Sequence, residues 1–321
     1  MATFKVTRGT PVAFRDSAYP TASPSPHEGE LFYNSSSGAF QFLGVSTGAW
    51  ASGGNLNLAR SQGGGAGTNT STLVFGGYST ARVGNTESYN GSSWTELSDL
   101  NTVRYEFASV GATSSAALAI SGGIATGVSN VVESWNGNSW TEIAEVNTAR
   151  VNIIQGFGTT AGAIVAGGSS PGQETLVESW NGTAWSEITE VNTGRSNAGH
   201  SGTFTAGLVS SGETANVETW NGTSFTEVAN VNTSRGRAVA SGIQTSTLIA
   251  GGDASGVKGE TELWNGSSWT ELADLSVARY ALGTSTTSAL ATTFAGGYSN
   301  ARIATTEEWS FAHATKTIDV S

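Results

Sequence analysis

The chain has 321 residues and a formal net charge of −11, with charged residues at 12%, aromatics at 9%, 43 Gly and 5 Pro. Lys and Arg total 14, too few for the clustered basic surface that phosphate neutralisation needs, which speaks against nucleic acid and anionic membranes as partners. Cysteine is absent, which excludes disulfides and thiolate metal sites, and Trp at 10 is too frequent for a solvated low-complexity chain.

Gly, Ser, Thr and Asn dominate without Pro runs, a composition that points to short strands and tight turns. The opening Met1–Val6 lacks the apolar core of a signal peptide, and no stretch is long and apolar enough for a membrane span. The expectation is a protein made in a cytoplasm and not inserted in a membrane.

Residues 1–45 read as an attachment segment. Pro11, Pro20, Pro24 and Pro26 remove ladder donors and bias their neighbours away from helix, so residues 11–29 are expected to be an irregular, extended arm. Glu30–Asn34 and Ala39–Leu43, separated by Ser35-Ser36-Ser37-Gly38, read as a β-hairpin. A lone hairpin is marginal in water, so this one needs a partner surface.

Residues 46–311 are repetitive. An aromatic, Asn-Gly, two small residues and a second aromatic recur at Tyr89–Trp94, Trp135–Trp140, Trp180–Trp185, Trp220–Phe225 and Trp264–Trp269. An arginine follows each second aromatic at a fixed distance: Arg104, Arg150, Arg195, Arg235 and Arg279. Glu stands two before the first aromatic at Glu87, Glu133, Glu178, Glu218, Glu262 and Glu307. A Gly-Gly pair ends at Gly77, Gly123, Gly168 and Gly252, and the period is roughly 40 to 46 residues, the range of a propeller blade.

Within one unit, Glu106–Gly111, Ala116–Ser121, Val131–Trp135 and Ser139–Ile143 read as four short antiparallel strands. The Asn-Gly pair is taken as a type I′ hairpin turn. Outer-strand Trp50, Trp94, Trp140, Trp185 and Trp269 would fill the wedges between blades.

The first half of the unit occurs six times, but its outer strand follows only five of them. The missing piece lies upstream: Gly48-Ala49-Trp50, then Asn57 and Arg60, matches the spacing of Trp185, Asn192 and Arg195. The prediction is an all-β, six-bladed β-propeller closed by strand exchange between its termini, with residues 312–321 as a C-terminal tail. Closure of this kind also removes open strand edges. Strand parity places both tails on the Asn-Gly side and the variable loops on the other.

Recurrence argues for a structural role, since a residue present in every blade serves the blade. The six arginines are expected to donate to carbonyls or carboxylates at blade junctions, and Glu96, Glu142, Glu187, Glu227 and Glu271 to sit exposed on outer strands. His27, His200 and His313 have no metal-ligand or triad spacing, so no catalytic, cofactor or metal residue is nominated. Gly63–Gly67 lacks the Lys-Ser/Thr of a phosphate loop and reads as a closely packed inner strand.

The candidate binding residues lie in the variable loops: Tyr78 and Arg82, the matching Tyr298 and Arg302, and Lys258. Paired Tyr and Arg on adjacent blades suit a sugar or protein contact; the alternative is that two related blades share a loop of no importance.

Across residues 50–309 this frame resembles the kelch repeat, with Gly-Gly after an apolar strand, spaced aromatics and then Arg. It departs in having Asn-Thr (Asn101-Thr102, Asn147-Thr148, Asn192-Thr193, Asn232-Thr233) where that family has Pro-Met-Pro. The stretch Gly29-Glu30-Leu31-Phe32-Tyr33-Asn34, turn, Gly38-Ala39-Phe40 resembles short hairpins of bacteriophage tail-fibre and other virion proteins; it also reads as an ordinary docking hairpin. The resemblance implies a non-enzymatic virion component that contacts other virion proteins through residues 1–45 and is multimeric in the particle. Its propeller would meet a host surface glycan or protein. The alternatives are a capsid decoration protein, a cytoplasmic kelch interaction module and, less favoured for want of an acid/base cluster, a carbohydrate-active propeller.

Overall fold

A computed structural model describes residues 13–15, 31–34, 38–45, 48–311 and 313–318. It divides into a large unit, Trp50–Ser310, and a small one made from the two ends, Met1–Ala49 and Phe311–Ser321. The large unit is a six-bladed β-propeller, with no helix among the described residues.

Each blade is a four-stranded antiparallel sheet. Blade 2 runs Ala108–Thr113, Ala116–Ile120, Val132–Trp135 and Trp140–Ile143 from the axis outward. Blades 1, 3, 4 and 5 repeat the order over residues 64–96, 157–187, 199–228 and 239–271. Blade 6 pairs Gly283–Thr284, Ala291–Ala295 and Thr306–Ser310, and its outer strand is Ala49–Ser52 from the other end of the propeller sequence. Trp50 and Trp309 lie in that one sheet with ring centroids 5.2 Å apart.

First strands touch their neighbours consecutively around the ring, blade 6 returning to blade 1. This close approach explains their glycines. A Cβ on Gly65 would lie 2.3 Å from the Thr284 carbonyl oxygen, and one on Gly64 would lie 2.6 Å from Ser109 Cβ. The Gly63–Gly67 stretch is therefore an inner strand, Gly64–Thr68, set against both adjacent blades.

Second strands are apolar on both faces, and the hydrophobic clusters straddle blades. Leu73 and Phe75 of blade 1 pack with Ala117, Ala119, Trp135 and Trp140 of blade 2. The other five clusters span the remaining junctions in the same way. Burial thus occurs between sheets, and no blade has a core of its own.

Two local expectations need correction. The Asn-Gly turns are not type I′, because only the glycines have positive φ (91° at Gly91, 94° at Gly137), whereas I′ needs it at both central residues. Tyr89 pairs directly with Trp94, which leaves a four-residue loop in which Asn90 Oδ1 accepts from Ser92 N (3.0 Å) and Ser93 N (2.9 Å). The asparagine's side chain does the turning, as an Asx cap.

The Gly-Gly frame is also displaced by one residue in blade 2. The paired left-handed positions are Ser121 (φ 61°) and Gly122 (φ 102°), matching Gly76 (61°) and Gly77 (106°), so Gly123 lies beyond the turn. The hydrogen bonds agree: Gly77, Gly122, Gly168, Gly212, Gly252 and Gly297 each donate to the carbonyl of the next repeat arginine. Ser211-Gly212 fills the same role in blade 4.

In the small unit, Ala13–Arg15, Leu31–Asn34, Ala39–Val45 and His313–Thr317 form one sheet in that order. The first pair is parallel and the other two are antiparallel. The hairpin is thus one part of a four-stranded sheet, and His313–Thr317, within the stretch read from sequence as a tail, supplies its edge. Apart from Ala13–Arg15, the arm at 11–29 lies outside the described residues.

Candidate functional site: the axial loop face

The blade connectors set the site's geometry, and each is fixed by one buried carboxylate. Glu133 accepts from Asn101 N (2.7 Å), Asn101 Nδ2 (2.9 Å), Thr102 N (3.0 Å) and Arg104 Nη2 (2.7 Å). Arg104 also donates to the carbonyls of Ser121 and Val131. The ion pair recurs as Arg60–Glu87 (3.2 Å), Arg150–Glu178 (3.0 Å), Arg195–Glu218, Arg235–Glu262 (2.6 Å) and Arg279–Glu307 (2.6 Å), with side chains almost wholly buried. Burial pulls the Arg104 guanidinium below its ordinary pKa, and Glu133 opposes that shift.

Asn-Thr in place of the proline motif is therefore part of the clamp. The asparagine's N–H and amide take one carboxylate oxygen, and the threonine's N–H shares the other with arginine. Outer tryptophans latch blades 2, 1 and 6 to the one before: Trp140 Nε1 donates to Thr86 Oγ1 (3.0 Å), Trp94 Nε1 to Thr306 Oγ1 (3.0 Å) and Trp50 Nε1 to Thr261 Oγ1 (3.1 Å). Glu96, Glu142, Glu187, Glu227 and Glu271 are exposed on the outer strands.

Two residues beyond each repeat arginine the chain enters left-handed backbone without glycine. The residues are Gln62 (φ 62°), Glu106 (51°), Asn152 (58°), Asn197 (58°), Arg237 (53°) and Ala281 (54°). They join in a ring of backbone hydrogen bonds around the axis: Gln62 N to Ala281 O, Glu106 N to Gln62 O, Asn197 N to Asn152 O, Arg237 N to Asn197 O and Ala281 N to Arg237 O. Ile153 N completes it to Glu106 O at 3.4 Å. The left-handed conformation costs energy at a non-glycine residue, and its recurrence in all six blades marks it as part of the ring's closure.

Above the ring lie the loops. Of the sequence-nominated residues, Tyr78, Arg82, Tyr298 and Arg302 are brought into one cluster, joined by Tyr105 and Tyr280. The Arg302 guanidinium lies 4.4 Å from the Tyr78 ring centroid and 5.8 Å from that of Tyr298. Arg82 lies 5.1 Å over Tyr105, Tyr78 meets Tyr105 edge-on at 5.9 Å, and Tyr280 packs on Tyr298 at 5.3 Å. Lys258 instead pairs with Glu260 at 3.3 Å.

Arg237 continues the cluster, 5.6 Å over Tyr280. It pairs with Asp253 at 2.9 Å and approaches Glu106 at 3.7 Å. Glu106 is 8% exposed and accepts from Gln62 Nε2; burial raises its pKa, while Arg237 and Gln62 pull it down. A carboxyl in this setting can hold or release a proton, a capacity absent from the sequence reading.

Tyr105, Tyr280, Glu106 and Arg237 lie in the connectors after the repeat arginines, outside the variable loops that hold the sequence-nominated residues. Their signal was the frame itself. One residue after the arginine the repeats read Ser61, Tyr105, Val151, Ser196, Gly236 and Tyr280, and large aromatics break an otherwise small series.

Farther down, Ile154 and Gln155 of blade 3 cross the axis. Ile154 packs with Val239, Leu282 and Phe294 of blades 5 and 6, and Gln155 Nε2 donates to Ala240 O at 2.8 Å. On the opposite face they leave a pocket of ≈ 140 Å³ lined by first-strand glycines, Thr159, His200 and Ser201. His200 Nδ1 donates to the Gln155 carbonyl, and burial lowers its pKa to about 4, so the ring is neutral at pH 7. Among the described residues no three His, Asp or Glu side chains gather as metal ligands.

No family model matches the chain, and no curated protein matches its sequence. Many solved structures share its architecture. One, described as the structure of YjhT, superposes with a TM-score of 0.67 over 82% of this chain and 99% of that one, at 15% sequence identity. At that identity the likeness is one of fold, and the fold it supports is the six-bladed β-propeller.

Proposed function

We propose that this chain is a non-catalytic binding protein of a bacteriophage particle, tail-fibre-like or of another appendage, built on a kelch-like repeat. Residues 1–45 attach it to other virion proteins, and the axial loop face meets a host surface glycan or protein. The observation that carries the binding part is the division within the repeat. Every blade carries the same buried Arg–Glu clamp, while the residues that differ between blades gather as tyrosine and arginine at one end of the axis. The virion part rests on the phage-like hairpin at Gly29–Phe40. Multimeric assembly in the particle belongs to the same reading.

The experiment is incorporation. A variant lacking residues 1–45 and 312–321 should fold as a propeller and be missing from particles purified from cells that also make wild-type protein. Incorporation of that variant at wild-type level overturns the attachment role.

Glu106 favours a second reading, a carbohydrate-active site in which its carboxyl acts as proton donor beside Asp253 and Arg237. Release of products from a glycan panel, abolished by Glu106→Gln, would support this reading over the first.

A further inference from the structure

We infer that the tyrosine–arginine cluster at the axial loop face binds an anionic saccharide, with Arg82 and Arg302 taking its carboxylate or sulfate. The inference rests on the reading of this face as the binding face and goes on to name its ligand class.

Charge singles out two arginines. Arg60, Arg104, Arg150, Arg195, Arg235, Arg237 and Arg279 each pair with a carboxylate. Among the arginines of the large unit only Arg82 and Arg302 form no such ion pair, in a chain whose net charge is −11. Acidic side chains are plentiful, yet none has been placed beside these two.

Both side chains are half-buried with Nε enclosed, as it is in five of the carboxylate-paired arginines. What sets these two apart is that no protein carboxylate takes their terminal Nη groups, and a fork of guanidinium donors matches a carboxylate or sulfate. The stacking on Tyr78, Tyr105 and Tyr298 holds the guanidinium planes in place in the absence of any ligand, so little side-chain freedom remains to be lost on binding.

The tyrosines decide what carries the anion. Tyr78, Tyr105, Tyr280 and Tyr298 are all half-buried and offer ring faces and hydroxyls. Gln62 of the axial ring, next to Ser61 that pairs with Tyr78, adds an amide whose Nε2 donates to Glu106. Aromatic faces beside an amide suit a sugar ring with its hydroxyls. An acidic peptide would need apolar recesses for its other side chains, and the cluster contains no aliphatic residue.

The test is calorimetric titration of the full chain with four probes: oligogalacturonate, a sulfated dextran oligosaccharide, neutral dextran of matching length and polyglutamate. Binding of at least one charged saccharide, weakened by salt, and none of the neutral probe is expected. Arg82→Gln and Arg302→Gln should each weaken it by about tenfold, the worth of one charge-assisted contact. Lys258→Gln, which removes a cation already paired with Glu260, should leave it unchanged. Circular dichroism checks that the variants remain folded.

Equal binding of neutral dextran, unchanged binding by Arg82→Gln and Arg302→Gln, or an equal loss in Lys258→Gln overturns the proposal. So does binding of polyglutamate alone. If neither saccharide binds yet the protein still adsorbs to cells that the particle infects, the ligand class is wrong and the binding face stands. If adsorption is also missing, both fall.

Discussion

Glu133 is the acceptor for four donors at once, and this makes its loss expensive in a way the exposed glutamates are not. Glu133→Ala strands the Arg104 guanidinium and two backbone N–H groups, a change expected to lower unfolding free energy by about 3–5 kcal/mol in denaturant titration. Glu142→Ala, nine positions on and exposed, should stay within about 0.5 kcal/mol of wild type. Equal costs would mean that the clamp is ornamental.

His200 gives a pH dependence of known sign. Its pKa falls from 6.5 in the unfolded chain to about 4 in the folded one, so the unfolded state binds the extra proton between those values. Its contribution is therefore fully present above pH 6.5 and is lost as the pH drops toward 4, on the order of 3 kcal/mol in all. Glu106 acts oppositely: its raised pKa lowers stability as pH rises from 4.5. Comparing His200→Gln with wild type isolates the histidine, and the variant should lose less stability than wild type between pH 6.5 and pH 4.

At the scale of the element, the repeated loop and strand forms follow from a few residues whose positions are visible in sequence. The Asn-Gly frame located every third-to-outer-strand connection correctly, but the kind of turn was hidden. Whether asparagine bends through its own φ or through its side-chain oxygen depends on the loop having four residues between paired aromatics. Gly123 was likewise placed one residue off, because Ser121 can occupy the left-handed position that glycine fills in other blades. Composition does not show which of two adjacent residues bears the strain.

The glycines of the first strands respond to a different demand, close approach between blades. Gly65→Ala puts a methyl 2.3 Å from the Thr284 carbonyl and should cost about 1–3 kcal/mol or more, read as a lower thermal midpoint. Asn136→Ala removes the two bonds from Asn138 N and Ser139 N and should cost about 1 kcal/mol.

At the scale of the molecule, the number of blades was legible because six first halves and one upstream outer strand can be counted. The axial cluster was half legible. Tyr78–Arg82 and Tyr298–Arg302 share a local motif, but Tyr105, Tyr280, Glu106 and Arg237 join them only through the circular order of connectors. The sheet shared by Ala39–Val45 and His313–Thr317 had no signal at all, since pairing between chain ends leaves no periodicity.

Ring integrity depends on Ala49–Ser52. Removing residues 1–44 leaves that strand and should leave a cooperative thermal transition. Removing residues 1–53 deletes Trp50, its contacts with Phe294 and Trp309 and its bond to Thr261, and should lower the midpoint by several degrees or abolish cooperativity.

Residence in the particle decides the proposed function. Mass spectrometry of purified phage particles from a producing culture measures this directly. The chain should be found at a copy number comparable to other appendage proteins, with its peptides spanning both units. Particles that carry no peptide of it, from a lysate in which it is abundant, would contradict the account.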